Sequence, residues 1–206
     1  MLRILYQVLG VIFPVAPAVG SLATETPTSF RRYFEPSLHQ NCVVLSRYTH
    51  PKVKAAVTAN KFHHDPHATK LLAYLLEAWL TTLPKPQPYV IVPIPLSGAR
   101  LRERGHNQVT SVAALVSQSV AIPIDDKLLY RTRNTAPQSH LDKDDRNKNI
   151  AGAFRCRDHN NHQITPQTHI IILDDVLTTG ATMAAAKAAL TEHFPHHRII
   201  CLALAH

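Results

Sequence analysis

Two adjacent carboxylates, Asp174 and Asp175, follow a run of four apolar residues, Ile170–Leu173, and precede the stretch Thr178-Thr179-Gly180-Ala181-Thr182. A buried strand of that length delivers both carboxylates to a sheet edge. The Thr/Gly run then opens the next helix, where unpaired backbone N–H groups and the helix dipole favour an anion. Threonine hydroxyls add donors, and Gly180 lets the backbone approach a phosphate closely. Carboxylates repel that phosphate but accept hydrogen bonds well from vicinal hydroxyls. One site offering both halves suits a ribose 5-phosphate. The simpler alternative is that Asp174-Asp175 caps a helix, although a cap needs no such run of threonines.

The elements that must position these residues can be read from periodicity. Val53, Ala56 and Val57 mark a helix over Pro51–Lys61. Asp65-Pro66 reads as an N-cap with proline at the first helical position. Ala68, Leu71, Leu72, Leu75, Trp79 and Leu80 then recur at helical spacing, predicting an amphipathic helix to about Thr82 with Trp79 as a core residue. Tyr89–Val92 is a short strand, and a loop rich in proline and arginine runs on to His106. Asn107–Val120 is helical, and the polar segment Arg131–Asn149 is a long loop of the kind that is often functional. His169–Asp174 is a buried strand, Ala181–Glu192 a helix and Arg198–Ala205 a closing strand, while residues 21–45 carry no clear period. Alternating strands and helices predict an α/β fold, a parallel sheet covered on both faces with ligands at the carboxyl ends of its strands.

Composition narrows the partners. The 206 residues carry a formal charge of +8, which draws the chain to polyanions: nucleotides, sugar phosphates or nucleic acid. Fourteen histidines scatter without an HExxH pattern, as a solvated, titratable fringe would. Cys42, Cys156 and Cys201 lie far apart, so neither a disulfide framework nor a zinc site is expected, and a reducing cytosol suits them. Leu2–Gly20 loosely resembles a signal peptide, but two prolines interrupt it and it is too short and broken for a membrane span. The expectation is a cytoplasmic protein whose first residues form a strand or apolar flap on the core.

The segment IIILDDVLTTGAT (Ile170–Thr182) resembles the phosphoribosyl pyrophosphate signature of type I phosphoribosyltransferases. VPIPLSGARLRERGHNQ (Val92–Gln108) and RTRNTAPQSHLDKDDRNKNIAGAF (Arg131–Phe154) make the resemblance specific to the ComF family, with a weaker match at KFHHD (Lys61–Asp65). It covers residues 48–206 and implies a type I phosphoribosyltransferase-like parallel twisted sheet flanked by helices, preceded by a small extension over residues 1–47. The family layout implies a pyrophosphate loop at Val92–Leu96 and the following residues, with Pro93 and Ile94 binding and Arg100 and Arg104 as charge partners whose planar forks suit phosphate oxygens. Arg102 falls between them and reads equally as a solvated helix residue, and a surface role is the plain alternative for Arg100 and Arg104 as well. Gln138, Arg146 and Asn149 take the polar positions of the family's flexible loop, for which the plain alternative is a disordered basic loop. Thr178, Thr179, Gly180, Ala181 and Thr182 would bind the 5′-phosphate.

Two departures stand out. Members of the family commonly start with a four-cysteine zinc module, and here Cys42 is alone in that region. His106 replaces the aromatic residue of the RG-aromatic-NQ motif, a change that keeps the capacity to stack or hydrogen-bond. The resemblance implies displacement at ribose C1 with pyrophosphate leaving. Asp174 and Asp175 would hold the ribose, and Mg²⁺ would be carried by the pyrophosphate. No residue offers itself as a general base for an acceptor. The resemblance also implies a link to natural competence and DNA uptake. A second reading follows from it: a non-catalytic module that responds to phosphoribosyl pyrophosphate and contacts single-stranded DNA or a helicase.

Overall fold

In a computed structural model, which describes residues 20–132, 152–157 and 164–206, the apolar run Ile170–Leu173 is the middle of a longer strand. The described chain runs α1 (Pro27–Phe30), β1 (Ser37–His39), β2 (Cys42–Val44), α2 (Pro51–Phe62), α3 (Pro66–Leu80) and β3 (Tyr89–Pro93). It continues with α4 (Gly98–Arg104), α5 (Gln108–Val120), β4 (Leu129–Arg131), β5 (Phe154–Cys156), β6 (His169–Val176), α6 (Ala181–His193) and β7 (Ile199–Ala205). The expected flap at Leu2–Gly20, apart from Gly20 itself, lies outside the described residues, as do Gln138, Arg146 and Asn149.

Five strands form one sheet in the order β1-β2-β7-β6-β3. The pairs β2–β7, β7–β6 and β6–β3 are parallel, as the alternation of strands and helices requires. Strand β1 departs from that plan by running antiparallel to β2. Its cause is local: Gln40 and Asn41 both take positive φ, 49° and 60°, which matches the two-residue turn that joins the strands of a tight hairpin. Strands of three residues leave too short a pattern to be read in the sequence.

Side chains along a strand alternate between faces, and β6 divides the core accordingly. Ile171 and Leu173 pack with Ile91, Leu202 and Leu204 beneath α2, α3 and α5. Ile170 and Ile172 pack with Val90, Val92 and Ala203 beneath α6 and the β4–β5 hairpin. Leu71, Leu72, Leu75 and Leu76 of α3 are fully buried, each contributing about 1.5–3 kcal/mol by removal of apolar area from water. Leu22 and Phe30 belong to that same cluster, and β2 pairs with β7, so residues 22–45 share the core of the residues after them. The fold is α/β, a mostly parallel sheet with helices on both faces.

Helix ends follow local chemistry. Asp65 caps α3, its carboxylate accepting from the backbone N–H groups of His67 at 2.8 Å and Ala68 at 3.3 Å, with Pro66 at the first turn. The stretch expected as a loop as far as His106 contains a helix instead. Ser97 caps α4 by accepting from Arg100 N–H, and Gly105 ends it in the left-handed region at φ 74°. Seven residues bearing one exposed leucine give too weak a stripe to read. Arg131, expected to begin a long loop, is the last residue of β4 and pairs with Phe154.

Candidate functional site

At the carboxyl edge of the sheet the chain leaves β3 and β6 side by side. Pro93 is paired with Leu173, and Ile94 N–H donates to the Leu173 carbonyl at 2.9 Å. A cavity of about 300 Å³ opens there, where a parallel sheet offers its strand ends to ligands. Its walls include Asp174 and Asp175 of β6, Thr178 and Thr182, Arg100 and Arg104 of α4, and Lys61 of α2. The structure thus brings together side chains from the segments Ile170–Thr182 and Val92–Gln108, which the sequence holds far apart.

Strand β6 runs two residues past Asp174, so its pleat turns the two carboxylates to opposite sides. Asp175 faces the helical side of α2 and α5, where it is buried. One of its oxygens accepts from Gln108 Nε2 at 2.6 Å, and the other meets the Lys61 ammonium at 2.9 Å. Asp174 keeps partial solvent contact and accepts the backbone N–H of Asp175 at 2.8 Å. Its crowded surroundings, and then the charge of Asp175, push its carboxyl up to about 7. That backbone bond and the nearby Lys61 and Arg131 act in the other direction.

Neither carboxylate caps the following helix. Gly180 occupies the N-cap of α6 with φ 72°, and among the described residues no side chain caps the first turn. The helix therefore presents an uncapped N-terminus, the electrostatic setting for an anion. The Thr/Gly run is divided between two hollows. Thr178 and Thr182 line the cavity of Asp174, whereas Thr179, Gly180 and Ala181 line a neighbouring one of about 370 Å³ with Gln40 and Lys187.

The arginines separate in the same way. Arg104 is partly buried, which lowers its pKa against the opposing pull of Asp175, and its enclosed Nε has no hydrogen-bond partner among the described residues. Its guanidinium lies 5.0 Å from the centre of the Phe62 ring. Arg100 stands at the exposed rim of the cavity. Arg102 is exposed and is not part of the cavity wall. Ile94 lines the cavity, while Pro93 closes β3 behind it.

The wall also includes polar residues with no individual role assigned in the sequence, among them Tyr48, Lys61, Gln108 and Arg131. Lys61 and Gln108 occur inside the blocks KFHHD and Val92–Gln108, but helical periodicity says nothing of what a polar residue at a helix end will meet. Buried Asn60 explains their placement. Its side-chain amide reaches the Gln108 carbonyl at 3.4 Å, and its oxygen accepts from Thr69 at 3.0 Å, tying α2 to α5 and α3. Arg131 donates from Nε to the Pro95 carbonyl at 3.1 Å and lies over the Phe154 ring. His106 stacks on His64 with ring centres 3.6 Å apart, so the KFHHD turn is packed on the end of α4.

The fold and cavity define an α/β protein with a polar, cation-rich cavity at the carboxyl edge of its parallel sheet. No family model matches the chain. It is 32% identical over 155 residues to DNA utilization protein YhgH of Salmonella typhi, covering 73% of this chain and 65% of that protein. It is 28% identical over 152 residues to competence protein F of Haemophilus influenzae, covering 72% of this chain and 65% of that protein. The chain therefore spans just under two thirds of the length of these relatives. It is homologous to them, as the resemblance to the ComF family implies. Among solved structures, adenine phosphoribosyltransferase from Leishmania tarentolae is similar at a TM-score of 0.45 and 12% identity, covering 82% of this chain and 79% of that one. The Trypanosoma brucei enzyme, solved with AMP, pyrophosphate and ribose-5-phosphate, is similar at 0.42 and 10%, covering 86% and 65%. Likenesses this loose transfer no ligand.

Proposed function

We propose that the cavity at Asp174 binds a phosphorylated pentose, namely phosphoribosyl pyrophosphate. One observation carries the reading: a partly exposed carboxylate, two arginines and the uncapped N-terminus of α6 converge at one sheet edge. Phosphate oxygens meet Arg100, Arg104, the Thr178 and Thr182 hydroxyls and the backbone of the Thr/Gly run, while the ribose diol donates to Asp174. Gln138, Arg146 and Asn149 belong to this reading as polar groups of a closing loop. Among the described residues no three His, Cys, Asp or Glu side chains gather to cage a metal. On this reading Mg²⁺ would be carried by the pyrophosphate and would neutralise charge on the leaving group.

Transfer, on this reading, is displacement at ribose C1. Asp174 faces the ring as positive charge develops, and Arg100 and Arg104 face the departing phosphates. Cytoplasmic phosphoribosyl transfer to an acceptor, linked to DNA uptake, is the resulting proposal. Calorimetry tests the binding: Asp174→Asn with Asp175→Asn is expected to abolish affinity for phosphoribosyl pyrophosphate in a folded protein, and unchanged affinity would sink it. Incubation with phosphoribosyl pyrophosphate, Mg²⁺ and a panel of bases and amines tests turnover through pyrophosphate release.

The names of the relatives, competence protein F and DNA utilization protein, favour a second reading. In it the chain binds phosphoribosyl pyrophosphate without turnover and contacts single-stranded DNA or a helicase. Direct DNA contact predicts affinity that falls steeply with salt. A flat salt response, or no binding at low salt, removes it. Among the described residues no helix is long and apolar enough to cross a membrane.

A further inference from the structure

We propose that Lys61 is a phosphate-binding residue of this cavity and that Asp175 acts by holding it there rather than by accepting from the sugar. The inference rests on the sugar-phosphate reading above and changes the role of one of its two carboxylates.

Both oxygens of Asp175 are engaged within the protein, Oδ2 by Gln108 Nε2 at 2.6 Å and Oδ1 by Lys61 Nζ at 2.9 Å. A sugar hydroxyl seeking Asp175 would have to share a crowded, buried acceptor. Asp174 has one oxygen accepting from the Asp175 N–H and a side chain that still reaches solvent, so it can receive the diol.

Lys61 fits the complementary task. An ammonium has three donors, and the Asp175 contact uses one. The lysine side chain is 19% exposed and forms part of the cavity wall. It comes from the end of α2 and shares the cavity wall with Arg100 and Arg104 of α4, so a ligand phosphate there meets cations from two elements. The carboxylate beside Lys61, 2.9 Å from its Nζ, fixes the long side chain in advance, which lowers the ordering cost of binding. Gln108, anchored through its backbone carbonyl to Asn60 at 3.4 Å, holds the other side of Asp175.

Calorimetry on the full chain tests the proposal with two probes, ribose 5-phosphate and magnesium pyrophosphate. Lys61→Met is expected to weaken one of them about tenfold or more, the loss associated with a charge-assisted hydrogen bond. The affected probe tells whether the 5′-phosphate or the pyrophosphate is the partner. Lys61→Arg should retain most of the affinity. Asp175→Asn should weaken the same probe, and the double variant should bind no more weakly than Lys61→Met, because both changes remove one function.

Losses that multiply in the double variant would mean that Asp175 meets the ligand independently, and would overturn the proposal. So would unchanged affinity of Lys61→Met for both probes. Circular dichroism checks each fold, and Lys61→Gln takes the place of any methionine variant that fails to fold. A wild-type chain that binds neither probe overturns the sugar-phosphate reading and this inference with it. Wild-type binding with an indifferent Lys61 overturns the inference alone.

Discussion

Gln108 and Asp175 are 67 positions apart and joined by a 2.6 Å hydrogen bond from the carboxamide Nε2 to the carboxylate Oδ2. The bond links the first residue of α5 to the penultimate residue of β6. It also orients the amide: Nε2 donates to the carboxylate oxygen, so Oε1 points away and is buried without a partner among the described residues. The arrangement ties one wall of the cavity to the strand that supplies its carboxylates.

Asp174 should make stability depend on pH. Its carboxyl is raised to about 7 in the folded chain, by burial and then by Asp175, from a reference value of 3.8. Between those values the folded state binds more protons than the unfolded one, so stability falls as pH rises from about 4 to about 7. Asp174→Asn should therefore be more stable than wild type at pH 8, by roughly 1–3 kcal/mol, with the difference vanishing near pH 4. Urea titrations at the two pH values check this; a constant offset would contradict it.

Affinity for ribose 5-phosphate should move in the opposite direction. Only the ionised Asp174 carboxylate accepts from hydroxyls with both oxygens, so binding should tighten as pH rises through about 7. Calorimetry between pH 6 and pH 8 measures it. The Asp174→Asn variant should lose the component centred near pH 7 and keep only the one from the ligand phosphate's own ionisation near about pH 6.

Three arginines of one short helix should behave differently. Arg100→Ala and Arg104→Ala should each weaken pyrophosphate binding about tenfold, the usual scale of a charge-assisted hydrogen bond. Arg102→Ala should leave it nearly unchanged, because Arg102 is exposed and lies off the cavity wall. Equal losses at all three positions would point to a diffuse electrostatic effect instead of a site.

Gly180→Ala should destabilise the fold by about 1–2 kcal/mol, since φ 72° places an L-residue in the left-handed region. A β-carbon there would also run into the Gln40 carboxamide. Denaturant midpoints measure the cost. A neutral effect would show that neither backbone strain nor the Gln40 contact matters.

Phe30→Ala tests the contribution of the early residues. Phe30 is fully buried in the cluster beneath α2, α3 and α5. Truncation of a buried phenylalanine costs about 3–5 kcal/mol, and thermal melting should register it. Indifference to the change would mean that residues 22–45 do not support the core.

Much of the architecture is legible in local patterns. The apolar run ending in Asp174 and Asp175, the cap at Asp65 and the helical spacing of Leu71, Leu72 and Leu75 each record a contact between a residue and its near neighbours. Short elements escape: β1, β2, β4 and β5 have three residues each, and α4 has only Leu101 as a large apolar side chain. The sequence determined by itself that two carboxylates would precede an anion-favouring helix start, because strand, turn and helix propensities act within a few residues. Tertiary structure alone decided that the pleat of β6 turns Asp175 to Lys61 and Gln108 and leaves Asp174 partly open. Which side chain meets which carboxylate depends on how α2 and α5 pack across the sheet, and long-range packing writes no period into the chain.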